Sequence, residues 1–375
     1  MSQEKIILKD IMFNKEKVSA FAQNIKNVYS NFQEEDYINE TIQKFPELEL
    51  KQRIHHMKNM LKKYLPDDYK TAVGIMISSL PDELDPNKTD DDFGRFILSP
   101  YGEYVAEFGC CDEYLDFSLQ SFENFTKRFS MEFAIRPFLK KYPIETLKYV
   151  KKWSISSNYH VRRFASEWIR PNLPWWWKVD LWISKTFNIL DNLHKDKTQY
   201  VLRSVANNLN DVTKLDSDAV INKLLEWKKE WKQTEKNMLF LVTHSLRTEI
   251  KSGNPKALQL LWYYMPDIKI QDFNISTTHV KLWESLDFSL NLQSNISQKL
   301  LINYVIHFVN ARWKLNTKIF NISKKNLSKG ENINISTKHP LKSMTTKKLY
   351  SWRHFVEIFI NWEIFGKESF EFISK

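Results

Sequence analysis

Glycine is scarce in this chain, with 7 residues in 375, where usage of ~7% would supply about 26. So little glycine leaves little material for a phosphate-cradling loop, and no such motif is found. Cysteine is scarcer still, two residues side by side at Cys110 and Cys111. They make neither a disulfide framework nor a four-ligand zinc site, and a reducing, cytoplasmic compartment is expected. No apolar run approaches the ~18 residues of a membrane helix. The segment Met1 to Asp10 also lacks the apolar block of a secretory signal, so no membrane association is expected. The histidines show no HExxH-type spacing and no GxSxG elbow occurs. No metal or other cofactor is expected.

What is present is a globular composition, 42% hydrophobic and 27% charged, in a chain long enough for two domains at ~150 residues each. The net charge of +10 is uneven: residues 1–125 hold 14 Lys+Arg against 23 Asp+Glu, and residues 126–375 hold 41 against 22. A basic surface opposite an acidic cap suits a polyanion such as DNA or RNA, although a merely solvated basic surface has the same arithmetic.

Apolar residues at three- to four-residue spacing predict helices over Lys15 to Tyr29 and Leu48 to Leu65. Pro66 to Asp68 and the acidic stretch Pro81 to Asp92 read as loops. From about 126 to 265 the helices repeat. HVRRFASE from His160 and YVLRSVAN from Tyr200 stand 40 residues apart, and IRPFL at Ile135 returns as IRPNL at Ile169. Leu241 to Arg247 falls at the next step. Periods of ~40–47 residues belong to paired-helix HEAT-like repeats, which stack into a superhelix. Near residue 275 the spacing changes to short alternations, at Leu286 to Leu290, Leu301 to Val309, Lys318 to Ile322, Ile333 to Ile335 and Phe355 to Ile360. Six or seven strands in ~100 residues predict a small β-sandwich. The expected architecture is therefore mainly α, a HEAT-like superhelix over 1–270, followed by a small β-sandwich over 276–375.

Acids and arginines recur within the repeats. Glu132 lies near Arg136. Glu167 lies near Arg162, Arg163 and Arg170. Asp211 follows Arg203 by eight residues, and Trp175 follows the second set. Ion pairs that set repeat spacing would account for them. So would one reaction. Cleaving an N-glycosidic bond builds positive charge on the sugar, and a carboxylate beside C1′ stabilises that charge and orients the attacking water. A base alkylated on a ring nitrogen is already cationic and leaves without a general acid. Arginines would hold the phosphates, and Trp175 would lie against the sugar or the cationic base.

The runs RFSMEFAIRPFLKKYP, HVRRFASEWIRPNLPW and YVLRSVANNLNDVTK, with LKDIMFN near the start and HSLRTEIKSG at 244–253, resemble the AlkC branch of the AlkC/AlkD DNA alkylation-repair glycosylases. LLINYVIHFVNA and the segment from Lys318 to Tyr350 resemble the immunoglobulin-like domain that some AlkC members append. The resemblance implies a HEAT-like, monomeric glycosylase that grips double-stranded DNA containing alkylated bases. It would excise cationic lesions such as 3-methyladenine by bending the duplex, without flipping the base into a pocket. Carried over by motif, Asp211 and Glu132 are the catalytic residues. Trp175 and Glu167 approach the substrate, and Arg163, Arg203, Arg136, Arg162, Arg170 and Arg247 are candidate DNA contacts. The alternative is a non-catalytic HEAT-like scaffold for nucleic acid or protein.

Tryptophan is abundant where glycine is scarce, 13 residues against 7. Trp168, Trp176, Trp262 and Trp283 stand where AlkC-like sequences have glycine. Trp313, Trp352 and Trp362 stand at or beside turns, and in Asn361-Trp362 a two-residue type I′ turn would demand positive φ at both positions. Glycine is the expected native residue at these seven positions, from a gene whose cell reads UGA as glycine; genuine aromatic substitution is the alternative.

Overall fold

Several helices begin where the sequence offers a capping side chain. Asn14, Asp68, Asn158, Thr198 and Asn254 each accept a hydrogen bond from a backbone N–H of the first turn, worth ~1 kcal/mol apiece. Between caps, the three- to four-residue spacing buries one stripe. Lys15–Val28 turns Val18, Phe21, Ala22 and Ile25 inward, and Leu50–Tyr64 does the same with Met57 and Leu61. Both helices are slightly shorter than the spacing alone suggests. The structure is a computed structural model that describes residues 8–88, 90, 93–172, 183–342 and 349–374.

Two compact units result, one of Met1–Asp216 with Glu226–Ser245, the other of Ser217–Leu225 with Leu246–Lys375. The described part of the first is helical apart from turns, loops and an isolated bridge between Gly94 and Phe129. Its repeats are Tyr159–Trp168, Gln199–Val212 and Glu235–Ser245, and each packs on the next. Arg247 does not end the third repeat helix; it opens a separate helix, Arg247–Ser252, in the second unit. Among the described residues no helix is long and apolar enough to cross a membrane.

The second unit adds Pro255–Gln259 and then eight strands: β1 (Ile268–Ile275), β2 (His279–Lys281), β3 (Ser285–Ser294), β4 (Gln298–Val309), β5 (Leu315–Leu327), β6 (Asn332–Pro340), β7 (Trp352–Ile360) and β8 (Glu363–Ile373). One sheet has the order β1-β3-β6 and the other β2-β8-β7-β4-β5. All pairs are antiparallel except β2 with β8. The alternation in β3 buries Leu286, Phe288, Leu290 and Leu292 against Leu300, Ile302, Val356 and Ile358. The sequence spacing revealed five of these strands. It missed β1, β2 and β8, because β1 alternates only between partly buried and exposed positions, β2 is three residues long and β8 mixes Gly366, Lys367 and Glu368 into its run.

The backbone is left-handed at five described residues that are not glycine: Trp231, Trp262, Trp283, Trp313 and Asn361, with φ between 53° and 76°. Three of the seven flagged tryptophans are thus confirmed as left-handed, and Trp231 joins them unannounced. Trp362 is a correction, since it lacks the positive φ of a type I′ turn, and Trp352, at the start of β7, has none either. In the β7–β8 turn only Asn361 does, held there by its own side chain, which accepts from Leu301 N at 2.8 Å and donates to Tyr264 O at 2.6 Å. Trp168 is helical and buried, its ring centroid 3.1 Å from that of Phe164, far inside the ~4.5–7 Å of an ordinary aromatic pair. Trp176 lies outside the described residues.

Candidate active site

Two capped helices and one loop supply the acid–arginine cluster. Asn158 starts Tyr159–Trp168 and Thr198 starts Gln199–Val212. On the first helix Arg163 and Glu167 are one turn apart and share a face. On the second, Tyr200, Ser204, Asn207 and Asp211 do the same. Glu132 comes from the turn before the short helix Arg136–Lys141.

Two of the ion pairs run between repeats and two are local. Arg163 Nη1 donates to Glu132 Oε2 at 2.7 Å and also to Ser130 Oγ, while its Nη2 lies 3.6 Å from Glu167 Oε2. Arg170 Nη1 donates to Glu167 Oε1 at 2.5 Å and its Nε to Asp211 Oδ2 at 3.0 Å. Ser204 Oγ donates to Glu167 Oε2 at 2.6 Å. Arg136, fully buried, donates from Nη2 to the backbone carbonyl of Arg170 at 2.9 Å.

These contacts set the charges. Burial by itself would raise the Glu167 carboxyl, but Arg163, Arg170 and Ser204 hold it below the usual carboxylate range. Burial would lower Arg163; Glu132, Tyr200 and Glu167 outweigh it and raise it. Burial and the neighbouring Arg170 bring Arg136 down to about 10.

A cleft of about 290 Å³ opens on this cluster, lined by Phe93, Glu132, Phe133, Arg163, Glu167, Arg170, Tyr200, Arg203, Ser204 and Asn207. Phe93 and Tyr200 meet edge to face at 5.7 Å, and the Arg163 guanidinium lies over the Tyr200 ring at 4.9 Å. Glu132 differs from the other two acids. One of its oxygens is held by Ser130 and Arg163, and among the described residues no donor reaches the other. Both oxygens of Glu167 and of Asp211 are engaged.

The structure therefore brings Glu132, Glu167, Arg163, Arg170 and Arg203 to one cleft. Asp211 is tied to it through Arg170 and holds exposed Lys214 at 3.3 Å on its second oxygen. Arg136 sits beneath the cluster as a backbone clamp, not as a surface contact. Arg162 is turned away, paired with Asp196 at 2.5 Å and with the carbonyls of Ser156 and Ser157. Arg247 belongs to the second unit, and Trp175 lies outside the described residues. Sequence spacing passed over Phe93, Ser130, Tyr200, Ser204 and Asn207. For the last three a signal existed, because they share a helix face with Asp211.

A helical repeat protein with a charged interior cleft and a C-terminal immunoglobulin-like domain is thus defined. Residues 269–374 match the family described as the C-terminal Ig-like domain of the uncharacterised protein YhaZ. The uncharacterised protein YhaZ of Bacillus subtilis is 32% identical over 370 residues, 97% of this chain and 98% of that one. The structure of Pseudomonas fluorescens alkylpurine DNA glycosylase AlkC, bound to DNA containing an abasic site analog, superposes with a TM-score of 0.82 at 30% identity, covering 98% of this chain and all of that one. The chain belongs to the AlkC-type DNA alkylation-repair glycosylase family, in the form with a C-terminal immunoglobulin-like domain.

Proposed function

We propose that this protein is a monofunctional DNA glycosylase that removes cationic alkylated bases, of the 3-methyladenine kind, from double-stranded DNA, with the catalytic work in residues 1–270. The observation that carries this is the Glu132 carboxylate, fixed through one oxygen and, among the described residues, open at the other, in a cleft lined by Arg163, Arg170 and Arg203. The likeness to AlkC over the whole chain supports it.

The chemistry follows from the charges. The C1′–N bond breaks with its electron pair going to the base, whose ring loses its positive charge. The sugar takes up that charge, and preorganised carboxylates lower its energy. Water adds at C1′ and its proton passes to the open oxygen of Glu132, then to solvent. Asp211 supplies a second negative charge. Its outer oxygen is held by Lys214, an exposed side chain that a nearby phosphate would draw away. Arg163 and Arg203 would meet the backbone. An already cationic base requires no general acid, so no proton donor need face it, and the sugar is reached without flipping the base into a pocket.

The test is incubation of the protein with duplex DNA carrying 3-methyladenine, with chromatographic detection of free base and an abasic strand. Tight, salt-sensitive duplex binding without any released base would favour the non-catalytic scaffold.

A further inference from the structure

Four exposed tryptophans occupy backbone that belongs to glycine. Trp262 follows the helix Pro255–Gln259. Its N–H bonds to Gln259 O at 3.0 Å, that of Tyr263 bonds to Leu258 O at 3.1 Å, and its φ is 62°. This pair of bonds is the Schellman closure, whose left-handed residue is usually glycine. The preceding helix closes in the same way with glycine itself: Gly253 N to Ile250 O at 3.2 Å, Asn254 N to Glu249 O at 2.9 Å, φ 78°.

The second case is also matched within the chain. Glu284 N bonds to Lys281 O at 3.0 Å with Trp283 at φ 76°, a type II turn with tryptophan in the position that requires positive φ. Between β5 and β6, Glu331 N bonds to Ser328 O at 3.2 Å with Gly330 in that place at φ 81°. Trp313 closes the β4–β5 hairpin. Its N–H bonds to Asn310 O at 2.9 Å, Asn310 N bonds to Lys314 O at 3.0 Å, and φ is 59°. That is a three-residue loop ending in a left-handed residue, again a glycine position. Trp231, at φ 54°, directly follows the helix Ser217–Glu230. A bulky residue in this region is an outlier, because its Cβ crowds the following carbonyl.

Two buried tryptophans behave otherwise. Trp153 and Trp227 are enclosed, have no positive φ, and donate their indole N–H to Glu123 at 3.2 Å and to Asp191 at 2.7 Å. The four left-handed tryptophans are all at least 46% exposed. Trp153 and Trp227 thus differ from the four left-handed tryptophans in both burial and backbone, while buried Trp168 and exposed Trp352, without positive φ, belong to neither group.

We propose that the codons at Trp231, Trp262, Trp283 and Trp313 are UGA and that the cell owning this gene reads UGA as glycine, so that the native protein carries glycine at these four positions. UGA is one base from UGG, the tryptophan codon, and one base from the glycine codon GGA. A single anticodon change therefore suffices for either reading. None of the four lines the cleft, and the inference does not depend on the glycosylase assignment.

The test has two parts. The coding DNA should show TGA at 231, 262, 283 and 313 and TGG at 153 and 227, and peptides of the protein isolated from its own cell should carry glycine at the four positions. TGG at any of the four, or tryptophan in those peptides, overturns the proposal. Separately, the fourfold variant W231G/W262G/W283G/W313G should unfold several degrees above the tryptophan form and bind duplex DNA with unchanged affinity. A lower midpoint would refute the backbone argument on which the codon assignment stands.

Discussion

Replacing Glu132 with glutamine keeps the shape of the side chain and removes its charge. A unit positive charge on a sugar ~4 Å from a carboxylate gains ~4 kcal/mol at an effective dielectric of ~20. Arg163 Nη1, 2.7 Å from the inner oxygen, offsets part of that gain. What remains is about 3 kcal/mol, in line with the loss of one preorganised electrostatic group, or a rate about 100-fold lower. The glutamine still accepts from Ser130 and Arg163, so the fold and the affinity for an abasic duplex should be retained. The assay is single-turnover release of an N3-alkylated purine, with duplex affinity and the unfolding midpoint measured alongside. A rate within about threefold of the parent, well under 1 kcal/mol, would show that this carboxylate does not face the reacting sugar. A collapse of the midpoint would show that its role is to hold Arg163.

Asp211→Asn should also cost about 100-fold or more in single-turnover release, while duplex binding survives. Arg170→Lys should lower the unfolding midpoint by the equivalent of about 3 kcal/mol or more, because one ammonium cannot span Glu167 and Asp211 as the guanidinium does at 2.5 and 3.0 Å; an unchanged thermal scan would contradict this. Arg203 is paired with Asp90 at 2.6 Å, a partner that a DNA phosphate would displace if Arg203 meets the backbone as proposed. Arg203→Ala should reduce the log–log salt slope of duplex binding by ~0.9, and Asp90→Asn should tighten binding at low salt. Burial, helped by Lys318, lowers His339 to about 4 from 6.5. Between those values the unfolded chain binds a proton that the folded one refuses, so the β-domain should lose stability as pH falls from 6.5 toward 4. His339→Gln should flatten that dependence in pH-resolved denaturation curves.

The helical half was legible because its apolar stripes, caps and 40-residue echo are local signals. The cluster of acids and arginines was legible as a set. Its wiring was not, since Glu132 to Arg163 and Arg170 to Asp211 bridge 31 and 41 residues, and no local spacing shows which acid keeps an oxygen open. Arg162 and Arg163 are adjacent in sequence. A helix turns neighbours about 100° apart, which sends one to Asp196 and the other to the cleft. Left-handed backbone was expected at tryptophans 262, 283 and 313 and found there. At Trp352 and Trp362 the turn signal was misplaced by strand starts and by the side-chain bonds of Asn361.

Arg170 also limits how this protein can evolve. Its guanidinium joins Glu167, on the helix that ends just before it, to Asp211 on the next repeat helix, and its carbonyl is gripped by Arg136, the corresponding arginine of the preceding IRP motif. Repeat proteins commonly grow by duplicating, deleting or exchanging units. Here any such event inside the run from Arg136 to Asp211 would break at least one link and strand a buried charge. This stretch should therefore be duplicated or exchanged only as a whole.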